Sequence, residues 1–163
     1  MRVTLERSNL LKSLNHVHRV VERRNTIPIL SNVLLQAEGA SLALKATDLD
    51  LEVNEATAAM VEQAGATTVP AHLLYDIVRK LPDGAEVMLS TNPDGGSISV
   101  ISGKSSFRLQ CLPQSDFPEL TAGAFTHSFR IEAQALKRLI DRTQFAISTE
   151  ETRYYLNGCL LYT

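Results

Sequence analysis

Residues 67–82 read TTVPAHLLYDIVRKLP, and this stretch decides the fold. Residues 67–69 are a short β-branched strand that runs into Pro70. Leu73, Leu74, Ile77, Val78 and Leu81 then recur at three-and-four spacing, one apolar stripe along a helix, and Pro82 stops it. The same unit, a short strand feeding a compact amphipathic helix, occurs twice more. Near Arg2, Val3 and Leu5 alternate ahead of Leu10, Leu11, Leu14, Val17 and Val21, with Ser8 as the expected helix cap. Near Thr126, Phe129 and Ile131 alternate ahead of Leu136, Leu139, Ile140 and Thr143.

Between the helices the pattern is of antiparallel strands joined by tight turns. Residues 33–36, 41–46 and 49–57 follow the first helix; residues 86–91, 97–102 and 106–112 follow the second, with turns at 92–96 and at Gly103. Two such rounds predict one α+β domain over residues 1–120, its antiparallel sheets carrying two helices on one face. Residues 113–124 contain Pro113, Pro118 and Gly123 without periodicity and read as a linker. Residues 121–163 are then that linker's end and the opening of a third round. Their last apolar run, 160–162, reads as a strand with no turn after it, so the sequence reads as the front end of a longer protein.

With 44% hydrophobic and 21% charged residues among 163, the chain has the composition of a globular domain and not of a disordered or fibrous one. No apolar run approaches the roughly 20 residues of a membrane helix, and Arg2, Glu6 and Arg7 interrupt the amino terminus where a signal peptide is apolar; a cytoplasmic protein is expected. Cys111 and Cys159 lack metal-ligand or redox spacing and read as small buried residues.

The net charge of −2 excludes a protein that grips nucleic acid by bulk positive charge, yet the charges are segregated. Arg7, Lys12, Arg19, Arg23 and Arg24 belong to the first helix and its exit, Arg79 and Lys80 to the second, and Lys137, Arg138 and Arg142 to the third. Asp48, Asp50, Glu52, Glu55 and Glu62 fall in the strand region. This fits a polyanion on the helical side, and equally the solvated outer face of any helix.

No reaction is specified. Residues 102–105, SGKS, share the tail of a phosphate-binding loop, but Ile98 stands where its first glycine belongs and a strand follows, so a hairpin turn is expected. Asp48, Asp50 and Glu52 alternate along an expected strand, with Leu49, Leu51 and Val53 opposite, the pattern of a strand with one solvated face. His16, His18, His72 and His127 have no ligand spacing, and no serine or cysteine sits in a nucleophile motif, so no catalytic residue, metal or cofactor is expected. A phosphate-handling enzyme built on those two features, or a protein interaction scaffold, is the alternative. Residues 153–158, RYYLNG, combine a cation, two aromatic rings and an apolar residue; in a strand Tyr154 and Tyr155 would point to opposite faces, one packing inward and one exposed.

Taken in order, residues 26–32 (TIPILSN), 47–52 (TDLDLE), 65–71 (GATTVPA), 81–86 (LPDGAE), Phe107 with Leu112 and Pro113, 116–118 (DFP) and 153–158 (RYYLNG) resemble the amino-terminal part of the bacterial β sliding clamps of DNA polymerase III. The resemblance implies the DNA-clamp fold, with three similar domains per chain and two chains closed head to tail into a ring, helices inside and sheets outside. It implies a non-catalytic processivity factor in DNA replication that encircles duplex DNA and tethers the replicative polymerase, with clamp-loader subunits as further partners. By position it implies DNA contacts at Arg24, Arg79, Tyr154 and Tyr155, a partner-peptide pocket edged by Arg153 and Leu156, and a homodimer interface at Phe107 and Leu109. Thr149, Glu150 and His72 depart from residues that contact DNA in relatives. This reading predicts that residues 1 to about 120 resist proteolysis while the rest is cleaved or held by nonnative association, with no ring formed, which limited proteolysis combined with light scattering checks.

Overall fold

The computed structural model describes residues 1–22, 26–120 and 126–162, without the side chains of Glu151 and Tyr154. The chain divides into two compact units, Met1–Thr121 and Ala122–Thr163.

The first unit runs β1 (Arg2–Glu6), α1 (Arg7–Val17), β2 (Asn32–Glu38), β3 (Ser41–Thr47), β4 (Glu52–Ala58), β5 (Met60–Gln63), β6 (Gly65–Pro70), α2 (Ala71–Lys80), β7 (Glu86–Thr91), β8 (Ser97–Ser102) and β9 (Ser105–Gln110). Its strands form two antiparallel sheets, ordered β5-β1-β7-β8-β9 and β4-β3-β2-β6. Only Ala59 separates β4 from β5, so the chain passes there from one sheet to the other. The inward residues of both sheets and the apolar stripes of both helices form one cluster. Leu10, Leu14 and Val17 of α1 and Leu74 and Val78 of α2 are buried with Val33, Leu35, Leu42 and Leu44 of one sheet and Val3, Leu89, Ile98 and Val100 of the other. The α+β fold class expected from the sequence is what forms, and Pro82 stands just past the end of α2 as expected. Among the described residues no helix is long and apolar enough to cross a membrane.

Several local expectations are corrected. Ser8 does not cap α1: the cap residue is Glu6, whose carboxylate accepts the Ser8 hydroxyl at 2.8 Å. Asp48, Asp50 and Glu52 do not share a strand, because the chain turns between β3 and β4. Asp48 Oδ1 accepts the N–H groups of Asp50 (3.0 Å) and Leu51 (2.7 Å), Thr47 Oγ1 accepts that of Leu49 (3.0 Å), and Leu49 is held at φ 81°. Short oxygen side chains here supply the turn's acceptors, which outcompetes continuation of the strand. A left-handed non-glycine residue costs of order 1–3 kcal/mol, and this network is what holds it. Residues 102–105 do form a hairpin turn, with Gly103 at φ +55° between β8 and β9. The supposed linker is structured in its first part. Residues 114–116 form a 3-10 turn and Phe117 is buried; its last residues, 121–124, lie outside the described residues.

The second unit contains α3 (Ala133–Thr143), none of whose residues is buried, and 3-10 turns at Gln144–Ala146 and Glu151–Leu156. Neither Phe129 and Ile131 nor residues 160–162 lie in a strand, and residues 153–156 are in the 3-10 segment. A strand is stabilised by its ladder, and these segments have no partner strand among the described residues. Cys159 is exposed, Cys111 half-buried, and both are free thiols.

Glu52, on the face of its sheet away from the core cluster, accepts Asn54 Nδ2 at 2.8 Å and lies 3.4 Å from Lys45 Nζ. The Asn54 amide first, then Lys45 and the Leu120 backbone N–H, hold its carboxyl below the ordinary value, against desolvation. A carboxyl whose folded pKa is lowered stabilises the fold above its unfolded value, and that contribution disappears as pH falls through the folded one. Glu52→Gln should therefore flatten the loss of thermal stability between pH 5 and 3, about the carboxylate range, relative to the parent chain. Leu14→Ala, which empties a fully buried site, should destabilise the first unit by about 2–5 kcal/mol in denaturant titration.

Candidate nucleic-acid interface

The apolar stripes of α1 and α2 face the core, which turns their other sides outward. Lys12, Arg79 and Lys80 are exposed there, and Arg19 is exposed in the turn just after α1. Arg79 is poised by its own helix. Asp76, three residues earlier, lies 3.2 Å from its guanidinium, and Tyr75, four residues earlier, presents its ring 5.8 Å from it. Half of the Arg79 side chain (52%) stays accessible.

Tyr75 continues into a ladder of rings that joins the two helices. Its ring stacks on that of His18 at 4.0 Å and 7°, and His18 meets His72 edge-on at 5.6 Å. Carbonyl oxygens only accept, so His18 donates from Nδ1 to Leu14 (2.8 Å) and His72 from Nε2 to Val21 (2.7 Å). His72 is thus committed to holding the segment after α1 against α2. Its Nδ1 is buried without a partner.

Arg7 is not part of the positive surface. Its side chain is only 13% exposed, and it donates to the carbonyls of Val78 (3.1 Å) and Arg79 (2.8 Å) and to Asp83 Oδ1 (2.5 Å). The guanidinium fork donates to two carbonyls at the end of α2, of which that of Val78 also accepts the Leu81 N–H at 3.3 Å, and its charge complements the negative end of the helix dipole. The i,i+3 and i,i+4 relations of Asp76 and Tyr75 to Arg79 were legible in the sequence. The ring ladder and the Arg7 fork were not, because their partners are about 50 to 70 residues apart.

The remaining expected residues fall as follows. Arg24 lies outside the described residues. Arg153 pairs with Glu150 at 3.0 Å, and Tyr155 is 71% exposed. A concavity of about 700 Å³ in the second unit is lined by Arg153, Tyr155 and Leu156 with Ala146, Cys159 and Leu160, so Arg153 and Leu156 do come together. Tyr154 belongs to the same 3-10 segment. Phe107 on β9 is 38% exposed and lines a concavity of about 400 Å³ with Leu73, Ile77 and Leu81 and the charged Asp76 and Lys80 of the α2 region. Leu109, two residues on, is buried at 3% exposure and serves the core, so it is not part of an exposed patch. Among the described residues no group of three or more His, Cys, Asp or Glu is placed to hold a metal ion.

Residues 1–121 match the family model of the DNA polymerase III beta subunit, N-terminal domain. The chain belongs to this family. It is 53% identical over its whole length to the beta sliding clamp of Caulobacter vibrioides and 43% identical to that of Escherichia coli K12. It spans 44% of the length of each of these relatives. A solved sliding clamp from Bartonella birtlesii, bound to griselimycin, superposes with a TM-score of 0.91 at 63% identity over 97% of this chain and 42% of that one. The corresponding Caulobacter crescentus clamp gives 0.91 at 54% identity, over 97% of this chain and 43% of that one.

The Arg7 fork and its exposed acidic partner Asp83 separate by experiment. Arg7→Ala should cost about 2–3 kcal/mol of stability, since it strips two carbonyls of a charged donor, whereas Asp83→Asn should cost under about 0.5 kcal/mol because Asp83 is almost wholly exposed. Thermal and urea denaturation of the two variants checks the order.

Proposed function

We propose that this chain supplies the first domain, residues 1–120, and the linker and opening of the second, residues 121–163, of a DNA sliding clamp. In this reading the clamp is a non-catalytic, cytoplasmic processivity factor: two chains close head to tail around duplex DNA and tether the replicative polymerase, raising its effective concentration at the primer end. The observation that carries it is the exposed cationic side of α1 and α2, with Arg79 set on Tyr75, in a chain similar over its full length to beta sliding clamps.

The modest charge suits the task. Each phosphate neutralised adds salt-dependent affinity, and a strong static grip opposes sliding; a closed ring needs only a weak positive lining and no base readout. Arg79, with Arg24 after α1 and Tyr154 and Tyr155 in the second unit, contacts DNA. The Asp76 partner sets the strength of the Arg79 contact, since a phosphate must displace the carboxylate. Arg153 and Leu156 edge the pocket for peptide segments of polymerase and clamp-loader subunits, and Phe107, on the strand whose Leu109 is held in the core, meets the second chain.

In a full-length clamp, Arg79→Ala should weaken DNA binding and reduce the salt slope by about 1, with melting unchanged. Asp76→Asn should do the reverse and raise affinity about 2–5-fold by removing the competing carboxylate. Equilibrium binding to duplex DNA across a salt series measures both, and unchanged affinity in both variants would remove the helical face from the DNA side.

A further inference from the structure

Four of the strings that carry the family resemblance meet at a place that neither the cationic helix face nor the peptide concavity uses. Asn32 closes residues 26–32, Thr68 lies within 65–71, Leu112 and Pro113 follow β9, and Phe117 is the centre of 116–118. Register pairs Leu34 with Thr68 and Asn32 with Pro70, so Asn32, Leu34 and Thr68 share one face of the β4-β3-β2-β6 sheet, while Val33, Leu35 and Val69 face the core.

On that outer face Thr68 is fully buried and Asn32 nearly so. Thr68 Oγ1 accepts Asn32 Nδ2 at 2.9 Å, accepts the Leu112 N–H at 3.2 Å, and donates to the Leu112 carbonyl at 2.8 Å. A hydroxyl has one proton and two lone pairs, so this one is saturated, and it holds both backbone groups of a single residue. Five residues on, Phe117 is buried against Ile29, Leu30 and Leu34. The turn between them is fixed by the Asp116 N–H on Pro113 (3.1 Å) and the Phe117 N–H on Gln114 (3.0 Å).

We propose that the Asn32–Thr68–Leu112 bolt and the Phe117 plug together form an anchor that fixes where, and in what direction, the chain leaves the first domain. The inference rests on the clamp reading, because its consequence is for the ring. A free tether of nine residues lets its end wander over about 15–18 Å, which dilutes the interfaces a closed ring must make simultaneously. With the bolt and plug seated, residues 112–120 are part of the sheet's outer layer and the exit point is set. The anchor lies on the opposite face from the main core, so its loss loosens the exit without unfolding the domain.

The test uses the full-length clamp loaded on nicked circular DNA. Thr68→Val removes the hydroxyl at nearly constant shape, and Phe117→Ala removes the plug while leaving the hydroxyl network, so a fold failure in one leaves the other to decide. Amide exchange over residues 112–120 should speed up by about tenfold or more in each variant, since Thr68→Val breaks both hydrogen bonds to Leu112 and Phe117→Ala empties the plug's buried site. The lifetime on circular DNA should fall by about threefold or more as the ring interfaces are diluted. Unchanged exchange, or faster exchange with the parent lifetime, overturns the anchor. A parent protein lost from circular DNA as fast as from linear DNA overturns the clamp reading itself, and the anchor's role in a ring falls with it.

Discussion

Both sheets and both helices of the first unit share one apolar core, and the remaining features follow from that sharing. Leu10, Leu14 and Val17 can be buried against β-strands only if α1 turns that stripe inward, and Leu74 and Val78 impose the same on α2. At roughly 1.5–3 kcal/mol for each large side chain removed from water, this burial outweighs any surface ion pair by several-fold. The outward sides of the helices are thereby open to solvent, and Lys12, Arg79 and Lys80 occupy them, with Arg19 in the turn just after α1. Arg7 is the exception because it stands at the junction of α1 with the end of α2, where it donates to the carbonyls of Val78 and Arg79.

The division of labour extends to the other surfaces. The helical side carries the cations. The β9 edge carries Phe107, with Leu109 committed to the core beneath. The outer face of the β4-β3-β2-β6 sheet is covered by residues 112–120 through Thr68 and Phe117. A chain with net charge −2 keeps cations on its helical side while acidic residues pair within the sheets, Glu62 with Arg2 and Glu52 with Lys45; on the helices Asp76 pairs with Arg79, and Glu55 of β4 reaches His16 of α1.

Much of this was legible before the structure. The stripe of residues 73–81 and the stop at Pro82 give α2 almost to the residue, and the strands around Gly103 follow from alternation and one glycine, because periodicity and turn chemistry are local. What was not legible depended on distant partners or on competition. Asp48 alternates correctly for a strand, yet its carboxylate captures two backbone N–H groups and bends the chain. Residues 113–120 have no periodicity because they lie along a sheet as a strap. Tyr154 and Tyr155 read as strand residues on propensity, but propensity without a paired neighbour does not make a strand. In the candidate interface, Arg79 and its helical neighbours were accessible to spacing arguments, and the His18–His72 contact was not.

The central claim is that the cationic helix face of the first domain, and not the sheet surfaces, lies against DNA. Lysine acetylation rates, read by mass spectrometry on a full-length clamp before and after loading on nicked circular duplex, test it directly. Lys12 and Lys80 lie on the helices and Lys104 in the β8–β9 turn, and all three are exposed. The account predicts that loading slows modification at Lys12 and Lys80 and leaves Lys104 unchanged. Slowing confined to Lys104, with Lys12 and Lys80 unaffected, would contradict it.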